Sequence, residues 1–176
     1  KIGPFEGLFF WLNISMRDEY ASAFYDVVKD TRNRTGIEMP EYIEHYIVCL
    51  LASHVDKSDF LPTKTFAESI LKISNSRDAK TLGDTCLFVT GIFPEYGLNV
   101  EYYSSIGKMS YNRCTHNLNI ELFETLSKHF DHIRFFINHI RNDKYNVKRR
   151  ASRWGLMENT ISVDLERQLL KEKQNG

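Results

Sequence analysis

Apolar residues recur along this chain at the three- and four-residue intervals of an α-helix, with polar links between one run and the next. The clearest stripe is Ile43, Tyr46, Ile47, Leu50, Leu51 and His54, at i, i+3, i+4, i+7, i+8 and i+11. Pro40 suits the first helical position there, and Glu38 and Glu41 stand at the positive end of the helix dipole. Before it, Tyr20, Phe24, Val27 and Val28 predict a helix that starts at Ser15, whose spacing to Asp18 is that of a capping box, and stops near Gly36. After it, Pro62 and Thr63 open a short helix with Phe66, Ala67, Ile70 and Leu71 on its inward face. Val100, Tyr103, Gly107, Tyr111 and Cys114 form another stripe, with Tyr102, Ile106 and Met109 beside it and Asn99 as its cap. One long helix is expected from Asn119 to Ile140, with Leu122, Leu126, Phe130, Ile133, Ile137 and Ile140 along its apolar side.

The stretch from Leu82 to Pro94 differs from these. It is apolar from Cys86 to Phe93 apart from Thr90, so no side of a helix is left to face water. It is expected on a helix capped by Ser76 and broken by Pro94, buried at the centre of the fold, with Gly83 and Gly91 permitting close helix contact. Strand alternation is rare. The pattern therefore predicts an all-α protein: one helical bundle of about six helices over residues 15–141. Residues 1–14 read as a covering segment, and 142–176 as a basic linker followed by a C-terminal helix with Ile161, Leu165 and Leu169 in register.

Composition narrows the function classes. Lys+Arg and Asp+Glu both number 23, so no global charge draws the chain to nucleic acid or to acidic membranes. No apolar run approaches the roughly 18 residues of a membrane span. Cys49, Cys86 and Cys114 are an odd number of thiols inside apolar helical patterns, which predicts buried, reduced cysteines and a cytoplasmic protein. No dinucleotide, P-loop, nucleophile-elbow or kinase motif occurs, and no cofactor is expected.

Four sets of residues could carry chemistry. Asp84 precedes an apolar run, so its carboxylate needs partners; Tyr102, Tyr103 and Tyr111 could supply them and complete a small-ligand pocket, or Asp84 could cap a helix or be a structural buried acid. His129 and His132, at i, i+3, could share a metal ion, but the usual acidic and cysteine ligands are not nearby in sequence and no metal is expected. Arg134 and His139 form an R-x4-H string that resembles the signature of HEPN ribonucleases, in which arginine neutralises phosphate charge and histidine moves protons. The residue after the arginine, usually polar there, is Phe135 here; an arginine and a histidine flanking an apolar stripe explain the string equally. Lys144, Lys148, Arg149, Arg150 and Arg153, with Tyr145 and Trp154, read either as a solvated linker or as a nucleic-acid-binding patch with aromatic stacking.

The order of Gly83-Asp84, Leu87-Phe88, Gly91, Phe93-Pro94, Val100, Tyr102-Tyr103, Gly107 and Tyr111 resembles a family of uncharacterised, mainly proteobacterial helical proteins. The likeness spans roughly residues 17 to 140; it implies the helical fold and carries no activity with it. The reading that follows is a non-enzymatic bacterial interaction or regulatory module, with a protein partner or self-association through the N-terminal segment and the Ile161/Leu165/Leu169 stripe. The alternatives are an RNA-acting enzyme using Arg134 and His139, or a ligand-binding protein with its pocket at Asp84.

Overall fold

The computed structural model describes residues 18–54, 61–62, 64–94, 99–114, 119–142, 167–171 and 174. Among them there is no strand; there are a short helical segment at 167–171 and seven further α-helices: α1 (Asp18–Thr35), α2 (Glu41–His54), α3 (Phe66–Leu71), α4 (Ser76–Ile92), α5 (Val100–Asn112), α6 (Ile120–Lys128) and α7 (Phe130–Arg141). The expected N-terminal cap at Ser15, the covering segment 1–14, the basic patch and residues Ile161 and Leu165 lie outside the described residues.

α4 is the hub. It is buried without interruption from Leu82 to Ile92 and packs against α2, α3, α5 and α7. Three glycines set how closely the helices approach. A Cβ on Gly83 would stand 2.7 Å from the Tyr111 ring, and one on Gly91 2.7 Å from Ile137. On Gly107 of α5 it would stand 2.4 Å from the Phe130 ring. No side chain fits at such distances without displacing a buried neighbour.

The helix ends follow local chemistry, with some corrections to the sequence reading. Gly36 takes a φ of 66°, the left-handed conformation that closes α1, and its N–H donates to the Arg32 carbonyl at 2.9 Å. The Pro40 carbonyl accepts from the Glu44 N–H at 3.2 Å, so the proline caps α2 from just outside its first turn. α3 starts four residues after Pro62, at Phe66. Thr65 and Glu68 form a reciprocal capping box there, a stronger start signal than the proline. Asn75, rather than Ser76, caps α4 by accepting from the Asp78 N–H at 2.9 Å. Asn99 caps α5 as expected, accepting from the Tyr102 N–H at 3.1 Å.

Two expectations about faces fail. Ala67 is exposed and Leu71 is 79% exposed, because the short α3 lies on the surface of α4 and α5 and buries only Phe66 and Ile70. Met109 is also exposed. The long helix expected from Asn119 to Ile140 is two helices, interrupted at His129. Its apolar stripe is nevertheless buried throughout, from Leu122 to Ile140. The interruption contains neither proline nor glycine. It lies beside two contacts with α5, the Ser127 hydroxyl on the Lys108 carbonyl at 3.1 Å and the Phe130 ring over Gly107.

Polar ties fix the outer helices. Arg32 of α1 donates from Nη1 to both carboxylate oxygens of Glu44 on α2, at 3.1 Å each. Within the short C-terminal helical segment at 167–171, buried Gln168 donates to the Lys64 carbonyl at 2.7 Å, and Leu169 packs on the core. No helix among the described residues is long and apolar enough to cross a membrane.

Candidate functional site

The carboxylate of Asp84 lies on the buried side of α4, 9% exposed, in the middle of the helix and therefore not at a cap. Its Oδ1 accepts from the Tyr111 hydroxyl of α5 at 2.9 Å and from the Tyr46 hydroxyl of α2. Its Oδ2 pairs with the Lys80 ammonium, one turn back on the same helix. Lys80 also stands 5.2 Å from the centre of the Tyr46 ring, a cation–π approach. Gly83 makes the cluster possible, since any side chain there would push the Tyr111 ring off the carboxylate.

Burial pushes the Tyr46 and Tyr111 hydroxyls well above the usual phenol value of 10.0, and the charge of Asp84 adds to the effect. Nearby, burial first and Asp84 second push the Cys114 thiol up to about 12. Cys49 is also raised by burial, and all three cysteines are free and buried. Three donors from three positions thus converge on one carboxylate, and the arrangement ties α2, α4 and α5 together. It is a saturated ion-pair and hydrogen-bond cluster.

Of the tyrosines expected around Asp84, only Tyr111 reaches it. Tyr103 lies two turns away along α5, about 12 Å at a helical rise, and its ring packs edge-on against Phe66 with centroids 4.8 Å apart. Tyr102 stacks edge-on beside Tyr103. Two partners were missed. Lys80 was legible as an i, i+4 pair with Asp84. Tyr46 reads from sequence as one more apolar stripe position, and nothing local distinguishes it.

His129 and His132 are both exposed, His129 at the interruption between α6 and α7. The two histidines line a cleft of about 450 Å³ with Glu38, Met39, Tyr42, Ile43 and Ile133. One wall is the link into α2 and the other is the α6–α7 junction, pinned together by the hydroxyls of Tyr42 and Thr125 at 3.2 Å. Among the described residues no group of three or more His, Cys, Asp or Glu is placed to hold a metal ion.

Arg134 and His139 are not brought together by contacts on α7. Arg134 pairs with Asp131 at 3.8 Å. Asp131 itself is held below the usual aspartate range, chiefly by its hydrogen bond from Lys108. The His139 ring packs edge-on against the half-exposed Phe135, with centroids 4.6 Å apart, and its carbonyl accepts from Arg34 at 3.4 Å. Lys148, Arg149, Arg150 and Arg153 lie outside the described residues. Comparison with protein-family models, curated proteins and solved structures finds no match for this chain.

Proposed function

We propose that this protein is a non-enzymatic interaction or regulatory module of the bacterial cytoplasm, and that it receives a segment of a protein partner at the cleft between the α2 entry and the α6–α7 junction. The observation that carries this reading is a contrast between two polar centres. The donors and acceptors at Asp84 are engaged with one another inside the bundle. The side chains of Glu38, His129 and His132 instead rim an open cleft, where Met39, Ile43 and Ile133 offer an apolar surface. A cleft of about 450 Å³ with an apolar floor and a few polar groups suits one or two side chains of a docked peptide.

Two further observations support parts of the reading. Three buried free thiols fit a reducing compartment. Gly83, Gly91 and Gly107, which carry part of the resemblance to the proteobacterial helical proteins, are helix-contact positions, so that kinship belongs to the same proposal as a matter of fold.

Site-specific photocrosslinking in the source cells tests the function. A crosslinker at His132 is expected to give a discrete protein adduct, with another protein or a second copy, that the same group at exposed Leu71 does not give. No adduct at 132, or the same adducts from both positions, overturns the cleft. Cleavage of RNA by the purified protein that is lost in both Arg134→Ala and His139→Ala overturns the non-enzymatic reading in favour of the nuclease.

A further inference from the structure

Lys64 and Lys72 stand at the two ends of α3, one just ahead of the cap Thr65 and the other at the C-terminal cap. Both line a second cleft, of about 310 Å³, whose opposite wall is the first turns of α4. The order Lys64, Glu68, Lys72 has i, i+4, i+8 spacing, which would ordinarily let Glu68 neutralise both lysines. Here the Glu68 carboxylate closes the capping box, its Oε2 accepting from the Thr65 N–H and hydroxyl at 3.1 Å each. Among the described residues neither lysine lies within ion-pair distance of an acid.

Both side chains line the same cleft instead, and Lys64 holds Lys72 below its ordinary value, first through hydrogen bonding and then through its charge. Asp78, the acid on the facing wall, is already engaged: its Oδ2 accepts from Asn75 at 2.9 Å and from the Ser74 hydroxyl at 3.0 Å. Both lysine backbones are anchored. The Lys64 carbonyl takes the Gln168 amide, and the Lys72 N–H donates to Glu68 and Ser69 carbonyls at 3.2 and 3.1 Å.

We propose that this cleft binds a phosphate group between Lys64 and Lys72, as inorganic phosphate or as the head of a phosphate monoester. A dianion with several acceptor oxygens can take hydrogen bonds from both ammonium groups at once and removes their mutual repulsion. A single carboxylate supplies half the charge. Ile73 and Leu82 add apolar wall beside the lysines, room that an ester's organic part would use. This inference is independent of the partner cleft at His132, which is lined by different residues.

Titration calorimetry at constant ionic strength, with inorganic phosphate and with glycerol phosphate in separate arms, tests it. Saturable one-to-one binding is expected. Lys64→Gln and Lys72→Gln should each weaken it by about tenfold or more, with circular dichroism unchanged, and Lys128→Gln on α6 should leave it as it was. Tighter binding of the ester identifies a phosphorylated small molecule as the ligand; tighter binding of inorganic phosphate identifies the free anion. Either result supports the site. No binding up to ~10 mM, binding that survives both lysine substitutions, or an equal loss in Lys128→Gln overturns it.

Discussion

Asp84 is an acid on a face that otherwise belongs to the core, and its removal has a sign that burial alone would not give. Asp84→Asn keeps the shape but leaves the Lys80 ammonium, whose side chain is only 19% exposed, without its counter-charge. Losing one partner of a largely buried pair should cost about 2–3 kcal/mol, measured as a shift in the urea midpoint. Adding Lys80→Met should recover part of that loss; if the double variant is no more stable than Asp84→Asn alone, the ion pair is not what the asparagine breaks. The phenols give a pH dependence. Folding raises the values of Tyr46 and Tyr111 above 10.0, so the folded chain holds these protons more tightly than the unfolded one. Their contribution is complete below pH 10.0 and is lost as pH rises from there through the raised folded values. Urea midpoints should therefore fall steeply above that pH. Tyr46→Phe should be less stable at neutral pH yet lose less on going alkaline; a slope equal to that of the parent would refute the assignment. With Cys114 raised to about 12 and Cys49 also raised, and all three thiols buried, a thiol reagent at pH ~8 should label none of them until the chain unfolds.

The helices are held at distances that particular small residues permit. Gly107 is the tightest of these positions, and what it meets is a buried aromatic ring. Gly107→Ala should therefore destabilise by about 1–3 kcal/mol despite alanine's better helix propensity, and pairing it with Phe130→Leu should return part of the loss. A gain in thermal stability from Gly107→Ala alone would show that α5 and α7 can move apart. The caps behave differently, because their chemistry is local. Ser, Thr, Asn and Asp positions ahead of apolar runs mark helix starts, and Asn99 was legible for that reason. Thr65 was equally legible from its spacing to Glu68, but the proline upstream gave the competing signal. The interruption at His129 left no mark in the sequence. Continuous helical periodicity runs through it, and no residue there disfavours a helix.

For the molecule as a whole, the C-terminal segment at 167–171 docks on the bundle, since Gln168 donates to the Lys64 carbonyl ahead of α3 and Leu169 packs on the core. Gln168→Ala should lower stability by about 1 kcal/mol, read in the same urea titrations, and no change would mean that this contact forms without net gain. Four of the other described helices, α2, α3, α5 and α7, pack on α4, and the sequence marked that segment as central because it is apolar on every side. Sequence alone determined the helical class, the faces of α2, α4 and α5 that enter the core, and the glycines as places of close approach. Each of these rests on one-dimensional periodicity and on residue size. Tertiary structure decided the rest. Tyr46 meets Asp84 across 38 positions of chain, and the cleft walls at Tyr42 and His132 come from α2 and α7, far apart in the chain. Ala67 and Leu71 face water because α3 is too short and too peripheral to be covered. Such outcomes depend on which helix lies beside which, a matter of three-dimensional packing that local spacing does not encode. The central stretch was readable in advance, and the partners that satisfy its one acid were not.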